Sequence, residues 1–221
     1  LLLARTNAPN PLGRRTDGLT LFYTDLDRTK IEVREIAKMG RAAVDSNQIF
    51  IDGLMVPESH RIGEVGKGFS YLLDSLNPER ILIAAEALGI GRSALQRAVD
   101  YAGSRVVFGR PIGQNQSIQH PLAENWVELE AAELLIAKAA YLYDSGAPAG
   151  GLANAAKFFA AEAGFKAATQ AVMTHGGMGY AKEYHVERLL RESLIPRLAP
   201  VSAQMVLNYI AERVLGLPKS Y

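Results

Sequence analysis

A glutamate that directly follows a proline can serve two chemistries. In the stretch SLNPERILIAAEALG, residues 75–89, Glu79 stands at the head of an apolar, alanine-rich run. Asn77 suits an N-cap, Pro78 suits the first helical position, and an acid suits the first turn, so helix-start chemistry alone accounts for the residue. If a longer helix instead runs through Pro78, the proline kinks it and leaves backbone groups and a carboxylate facing a cleft. Glu79 is then a candidate proton-abstracting base.

Two further segments hold groups suited to an anionic ligand. In HGGMGY (175–180) adjacent glycines let backbone N–H groups approach an anion closely, although a tight turn between helices explains the same letters. The spacing is not GxGxxG, and no βαβ unit surrounds it. In SRVVFGRPIGQNQ (104–116), Arg105 or Arg110 can fork a phosphate, and Gln114 or Gln116 can hydrogen-bond a base or ribose. A solvated surface loop is the plainer reading of that segment. His60, His120, His175 and His185 lie apart with no metal-ligand spacing, which predicts no metal site. Ser93, Ser104 and Ser117 lack a nucleophile-elbow context, so nothing points to a hydrolase.

The elements that must position these groups fall into two grammars. Over residues 1–65, LTLFYTDL (19–26) and SNQIFIDGLMVP (46–57) read as strands, and NAPNPLGRRTDG (7–18) reads as a turn-rich loop. From Gly66 onward, Phe69, Leu72, Leu73 and Leu76 take the spacing of one helical face, and 79–103 continues in that manner. Further helices are predicted from about Ile118 to Asp144, from about Leu152 to Thr174, and near 182–194 and 201–215, with Pro196 and Pro200 between the last two. The prediction is a mainly α chain. Residues 66–221 form an up-down four-helix bundle, preceded over 1–65 by a partial antiparallel β domain.

Composition removes several classes. The chain has 221 residues, 48% hydrophobic and 21% charged, with a net charge of +1, so it carries no nucleic-acid footprint. There is no cysteine, which excludes disulfide and thiolate chemistry and fits a reducing compartment. The apolar runs are too short and too often interrupted by charge to span a bilayer, and the start lacks the pattern of a signal peptide. The opening LLLAR, without Met, is expected to come from the interior of a longer protein.

Taken in order, GLTLFYTDL, VPESHRIGEVGKGF, NPERILIAAEALGIGRSALQRAVDYAGSRVVFGRPIGQNQ, AAKFFAAEAG and THGGMGYAKEYHVERLLRE resemble the acyl-CoA dehydrogenase family along nearly the whole chain. That resemblance implies an end of a middle β domain followed by a C-terminal four-helix bundle. It implies FAD, an acyl-CoA substrate oxidised to the α,β-enoyl-CoA, and electrons passed to an electron-transfer flavoprotein. It further implies a homodimer or homotetramer in the bacterial cytoplasm or mitochondrial matrix, with neither a nucleic-acid nor a membrane partner. By position, Arg105 resembles the pyrophosphate-binding arginine, Phe108 a residue lying against the flavin cofactor, and Gln116 a contact on its adenosine side. Residues 173–177, that is Met173, Thr174, His175, Gly176 and Gly177, resemble the loop that reaches the dimer mate's cofactor. Ser202 and Gln204 resemble further FAD contacts, while Asn77 and Arg80 fall along the acyl-CoA cleft.

The departures from the family pattern carry information. Many members place their base in a segment where this chain has Pro200, followed by Val201 where a glycine usually stands. Met173 replaces an amide and Val107 a hydroxyl residue. A minority, including isovaleryl- and long-chain-type enzymes, carries the base on the earlier helix, immediately before an arginine, and Glu79-Arg80 falls there. The resemblance therefore assigns the base to Glu79. Two rivals stand beside this reading: a scaffold kept as an acyl-CoA-binding or assembly subunit, and an oxidase that uses O₂. The 221-residue chain alone is expected to bind FAD poorly and to be inactive.

Overall fold

The computed structural model describes residues 1–8 and 11–220. Pro9 and Asn10, in the predicted 7–18 loop, lie outside the described residues. The chain divides into two compact units, Leu1–Leu76 and Asn77–Tyr221.

The first unit contains β1 (Leu2–Arg5), β2 (Leu19–Phe22), β3 (Ile31–Glu35), β4 (Asn47–Ile51) and β5 (Arg61–Ile62). Strands β1, β2 and β5 form one antiparallel sheet in that order, with Leu2 opposite Phe22 and Arg5 opposite Leu19. Strands β3 and β4 form a separate antiparallel pair, with Ile31 opposite Ile51. The predicted 19–26 strand ends four residues early because Asp27 accepts hydrogen bonds from the Thr29 backbone N–H and hydroxyl, fixing a turn. The predicted 46–57 strand ends before Gly53, which takes a positive φ of 64°. Thr20 is fully buried, and its hydroxyl meets that of Thr6 at 2.6 Å and accepts the Gly66 N–H at 2.8 Å.

The first helix, α1, runs without interruption over 37 residues, Gly68–Ser104, with Pro78 inside it. A two-strand hairpin follows, β6 (Val106–Val107) with β7 (Arg110–Pro111). Then come α2 (Gln116–Asp144), α3 (Gly150–His175), α4 (Val186–Ser193), α5 (Ile195–Leu198) and α6 (Ala203–Tyr209), the last continued by a π-helical turn at Ile210–Val214. The mainly helical architecture agrees with the expectation from sequence. The fourth limb of the bundle is segmented into α4, α5 and α6. Pro196 falls in the first turn of α5, and Pro200 stands in the connector before α6. Among the described residues no helix is long and apolar enough to cross a membrane.

In the second unit α3 is the central helix. Ala153, Ala156, Ala160, Ala163, Ala167 and Ala171 recur every three or four residues and are buried, and Ala161, Gly164 and Ala168 bury the flanks. Small side chains let backbones come close. A Cβ built on Gly164 would lie 2.5 Å from the Ala87 carbonyl oxygen of α1. A Cβ on Gly91 would lie 2.6 Å from Leu129 Cδ2 and 2.9 Å from Gly164 Cα. Leu129, 1% exposed, fills the space these glycines leave.

This geometry predicts opposite outcomes for two chemically identical changes. Gly164→Ala is expected to destabilise by about 1–3 kcal/mol, because its obstacle is backbone that cannot rotate away. Gly89→Ala, on the exposed side of α1 with nothing within 4 Å of its Cβ, is expected to stabilise by about 0.4–1 kcal/mol. Denaturant unfolding of the two variants beside the parent checks both signs.

Candidate active site and cofactor cradle

Because α1 continues through Pro78, Asn77 is not an N-cap and Glu79 is not in a first turn. Of the two local readings of NPER, the continuous helix is the one adopted. Pro78 has no N–H to offer the carbonyl four residues back, so the helical ladder lacks a bond there. The Asn77 side-chain oxygen instead accepts from Arg80 Nη1 at 3.2 Å. Glu79 is exposed, and among the described residues its carboxylate has no hydrogen bond or ion pair.

Arg80 is half-buried, and its Nε is buried without a partner among the described residues. Burial pulls its guanidinium below the ordinary arginine range, and the neighbouring Tyr209 and Glu79 oppose that shift. Tyr209 also presses on the start of α3, since a Cβ on Gly150 would meet its hydroxyl at 2.7 Å. Across the bundle Lys157, only 1% exposed, donates to the Val201 carbonyl at 2.6 Å. Burial lowers the Lys157 ammonium to about 8, Arg80 adds to that lowering, and Glu162 opposes it. Ser202 caps α6 by accepting the Met205 N–H, and Gln204 is exposed on the first turn of α6. Asn77, Glu79, Arg80, Val201 and Ser202 thus belong to one end of the bundle.

The other end is built around an aromatic cluster. The rings of Tyr101 and His175 stack at 4.2 Å, and Tyr184 meets both edge-on at 5.7 and 5.5 Å. His175 Nδ1 donates to the Ala171 carbonyl at 2.7 Å, which fixes the ring inside the bundle. Thr174 is buried as well and lies 3.3 Å from the donating Gln170 amide. Of the predicted 173–177 loop, the side chains of Thr174 and His175 therefore face inward, and Met173, Gly176 and Gly177 remain exposed. Gly176 takes φ 60° and ψ −134°, a conformation open to glycine and rare for other residues.

The Arg105 N–H is held by the Tyr101 carbonyl at 2.8 Å, so Arg105 begins at this same end. Its guanidinium is exposed and has no hydrogen-bond partner among the described residues. Phe108 and Gly109 form the hairpin tip, both with positive φ, 52° and 79°. Phe108 is 101% exposed, a whole aromatic face uncovered on a strained residue. Gln116 opens α2, exposed, beside Asn115, whose side chain receives Arg110 at 2.7 Å. A guanidinium, glycine amides, an amide side chain and a bare aromatic ring make a donor set that fits an aromatic dinucleotide such as FAD.

The candidate residues thus form two groups. Glu79 and Ser104 lie on one helix 25 residues apart, about 37 Å at 1.5 Å per residue. That span exceeds the length of one extended dinucleotide. Sequence reasoning did not find Lys157, Tyr209 or the Tyr101–His175–Tyr184 cluster. The only available signal was a lysine in NAAKFFAAEAG, a charge on a helix with no polar stripe to receive it.

Comparison with known proteins identifies the family. The family model for the acyl-CoA dehydrogenase C-terminal domain matches residues 66–215. The chain belongs to the acyl-CoA dehydrogenase family. It is 46% identical over 176 residues to the acyl-CoA dehydrogenase FadE12 of Mycobacterium tuberculosis, covering 79% of this chain and 45% of that protein. An acyl-CoA dehydrogenase of Bacillus subtilis is 42% identical over 200 residues, covering 90% of this chain and 53% of that protein. The butyryl-CoA dehydrogenase structure from Megasphaera elsdenii superposes with a TM-score of 0.91 at 32% identity, covering 96% of this chain and 55% of that one. The chain spans about half the length of the curated relatives it matches.

The buried lysine predicts a pH dependence. Folded Lys157 loses its proton near pH 8, whereas the unfolded side chain keeps it until about 10.5. Between those values the unfolded state binds more protons, so stability rises with pH; the cost of burying the ammonium is present in full below 8 and is gone above 10.5. Denaturation midpoints of the parent measured relative to Lys157→Met are expected to climb across that window.

Proposed function

We propose that the whole protein carrying this chain is a flavin-dependent acyl-CoA dehydrogenase with Glu79 as its base. The observation that carries this reading is an exposed carboxylate beside Arg80 on a continuous helix, with no hydrogen bond or ion pair among the described residues, while the 199–202 connector offers Pro200 and no carboxylate. A base for a carbon acid must hold a lone pair not already committed to a hydrogen bond, and Glu79 meets that condition. Its carboxylate takes the α-proton of the acyl thioester. Asn77 accepts the Arg80 hydrogen bond and so orients the guanidinium along the acyl-CoA.

The family is flavin-dependent in general, and FAD, when bound, supplies the acceptor for the hydride that leaves the β-carbon. Arg105 and the 173–177 backbone would hold its pyrophosphate, Phe108 would cover an aromatic face, Gln116 would contact the adenosine side, and Ser202 and Gln204 would contact it at the opposite end of the bundle. The separation of about 37 Å along α1 supports a division of labour, because no one cofactor reaches both groups of one chain. In a symmetric dimer the Arg105 end of one copy serves the cofactor lying at the Glu79 end of the other. Electrons then leave to an electron-transfer flavoprotein.

Two measurements test this. Glu79→Gln in the whole protein is expected to keep flavin and lose acyl-CoA-dependent bleaching; near-normal bleaching would exclude Glu79 as the base. Co-refolding Glu79→Gln with Arg105→Ala tests the shared site. Each mixed dimer pairs both lesions in one site and leaves its second site intact, so about a quarter of parental sites return. No recovery above the separate variants would mean that each copy completes its own site.

A further inference from the structure

The second unit contains a polar group that neither the packing nor the proposed base explains. Lys157 occupies an otherwise alanine-lined stretch of α3 and is 1% exposed. Removing an ammonium from water is costly, and an apolar side chain of similar volume fills such a position without that cost. Lys157 forms no ion pair among the described residues, and its hydrogen bond there is to the Val201 carbonyl, at 2.6 Å. The charged and titratable groups around it are few. Arg80 faces it from α1 and repels it, and Glu162 of its own helix attracts it but is engaged by Arg197 of α5 at 2.8 Å. Tyr209, the last residue of α6, lies within electrostatic range of Arg80. Lys157 is therefore kept against both burial and a neighbouring cation.

What it holds is the connector between α5 and α6. The flanks of that connector have their own ties. The Ala199 N–H returns to the Ile195 carbonyl at 2.9 Å, and Ser202 receives the Val206 N–H at 3.1 Å. Between them Pro200 has no N–H to give. The Val201 carbonyl is drawn across to α3, and α6 starts two residues later. From there the path to the candidate base is short: α6 ends at Tyr209, which lies within electrostatic range of Arg80, and Arg80 adjoins Glu79.

We propose that Lys157 is a positioning residue: through its hydrogen bond to the Val201 carbonyl it sets the 199–202 connector and the register of α6, and thereby the placement of Ser202, Gln204 and Tyr209 around the reacting thioester. The proposal rests on the dehydrogenase reading above. It differs from a packing role in one respect. Losing the bond disturbs chemistry more than stability, because the ammonium itself opposes folding.

The test uses the whole protein, flavin-loaded, as parent, Lys157→Met and Lys157→Gln. The methionine fills the space without donating, and the glutamine keeps a donor that is too short to reach. Hydrogen exchange at the Met205 and Val206 amides is expected to accelerate in both variants, with α3 unchanged. The first-order rate of flavin reduction at saturating acyl-CoA is expected to fall about ten- to a hundredfold, the size of effect produced by ångström-scale misplacement, while half-saturation moves less than about threefold. Unchanged exchange overturns the tie. Faster exchange with parental reduction rates reduces the tie to a structural one and also overturns the proposal. A flavin-loaded parent that no acyl-CoA reduces identifies the dehydrogenase reading as the failure, and the positioning role falls with it. If the methionine variant does not fold, the glutamine variant is decided by the same two measurements.

Discussion

The approach of α1 to α3 at Gly91 and Gly164 is the contact on which the second unit depends. Neither residue has a Cβ, and adding one would bring it to 2.9 Å or less of the opposite backbone. Leu129 of α2 packs into the same place, so three helices meet where two have no side chain. The alanines of α3 extend that closeness in both directions and leave little space for a long side chain to escape to solvent. Polar groups on the buried face of α3 must therefore find acceptors inside. Lys157 finds the Val201 carbonyl, Asn154 the Gly150 carbonyl at 2.8 Å, and His175 the Ala171 carbonyl.

The same constraint organises the chemistry. One end of the bundle gathers Asn77, Arg80 and Lys157 near the connector at Pro200, with Arg197 occupied by Glu162 and by the face of Phe165 at 4.5 Å. It is a positively charged, partly dry neighbourhood beside one exposed carboxylate. The other end presents a guanidinium, two exposed glycines and a bare phenyl ring, and its aromatic cluster keeps the supporting side chains turned inward. The first arrangement suits proton removal beside a thioester, and the second suits grip on a dinucleotide.

Much of this was legible in the sequence, for identifiable reasons. Long helices with small-residue faces declare themselves by period, and α2 and α3 begin and end within two residues of their predicted limits. The loops at 104–116 and 175–180 stood out because glycine and proline interrupt that period. The β segments were less legible. Strand β1 is leucine-rich without alternation, and β4 exposes Ile49, Phe50 and Ile51 together, which no inside–outside pattern announces. At the site, local rules could not decide whether Asn77-Pro78 starts a helix or sits within one. That choice depends on the segment before Pro78, where the helix starts at Gly68 against the Thr20–Leu21 backbone, which is tertiary information. Nor could sequence show that Thr174 and His175 turn inward, since a stacked pair 74 positions apart leaves no local trace.

The continuity of α1 has one more consequence, and it concerns how the gene can change. A helix is a ruler that is also a screw. Deleting or inserting one residue between Glu79 and Ser104 would shift one end by about 1.5 Å and turn it by about 100° relative to the other. The two candidate ends joined by such a rod tolerate substitution at open positions such as Gly89, but their separation does not change. A change of length outside that interval, as in the turn before Gly150, leaves the spacing of the two ends intact.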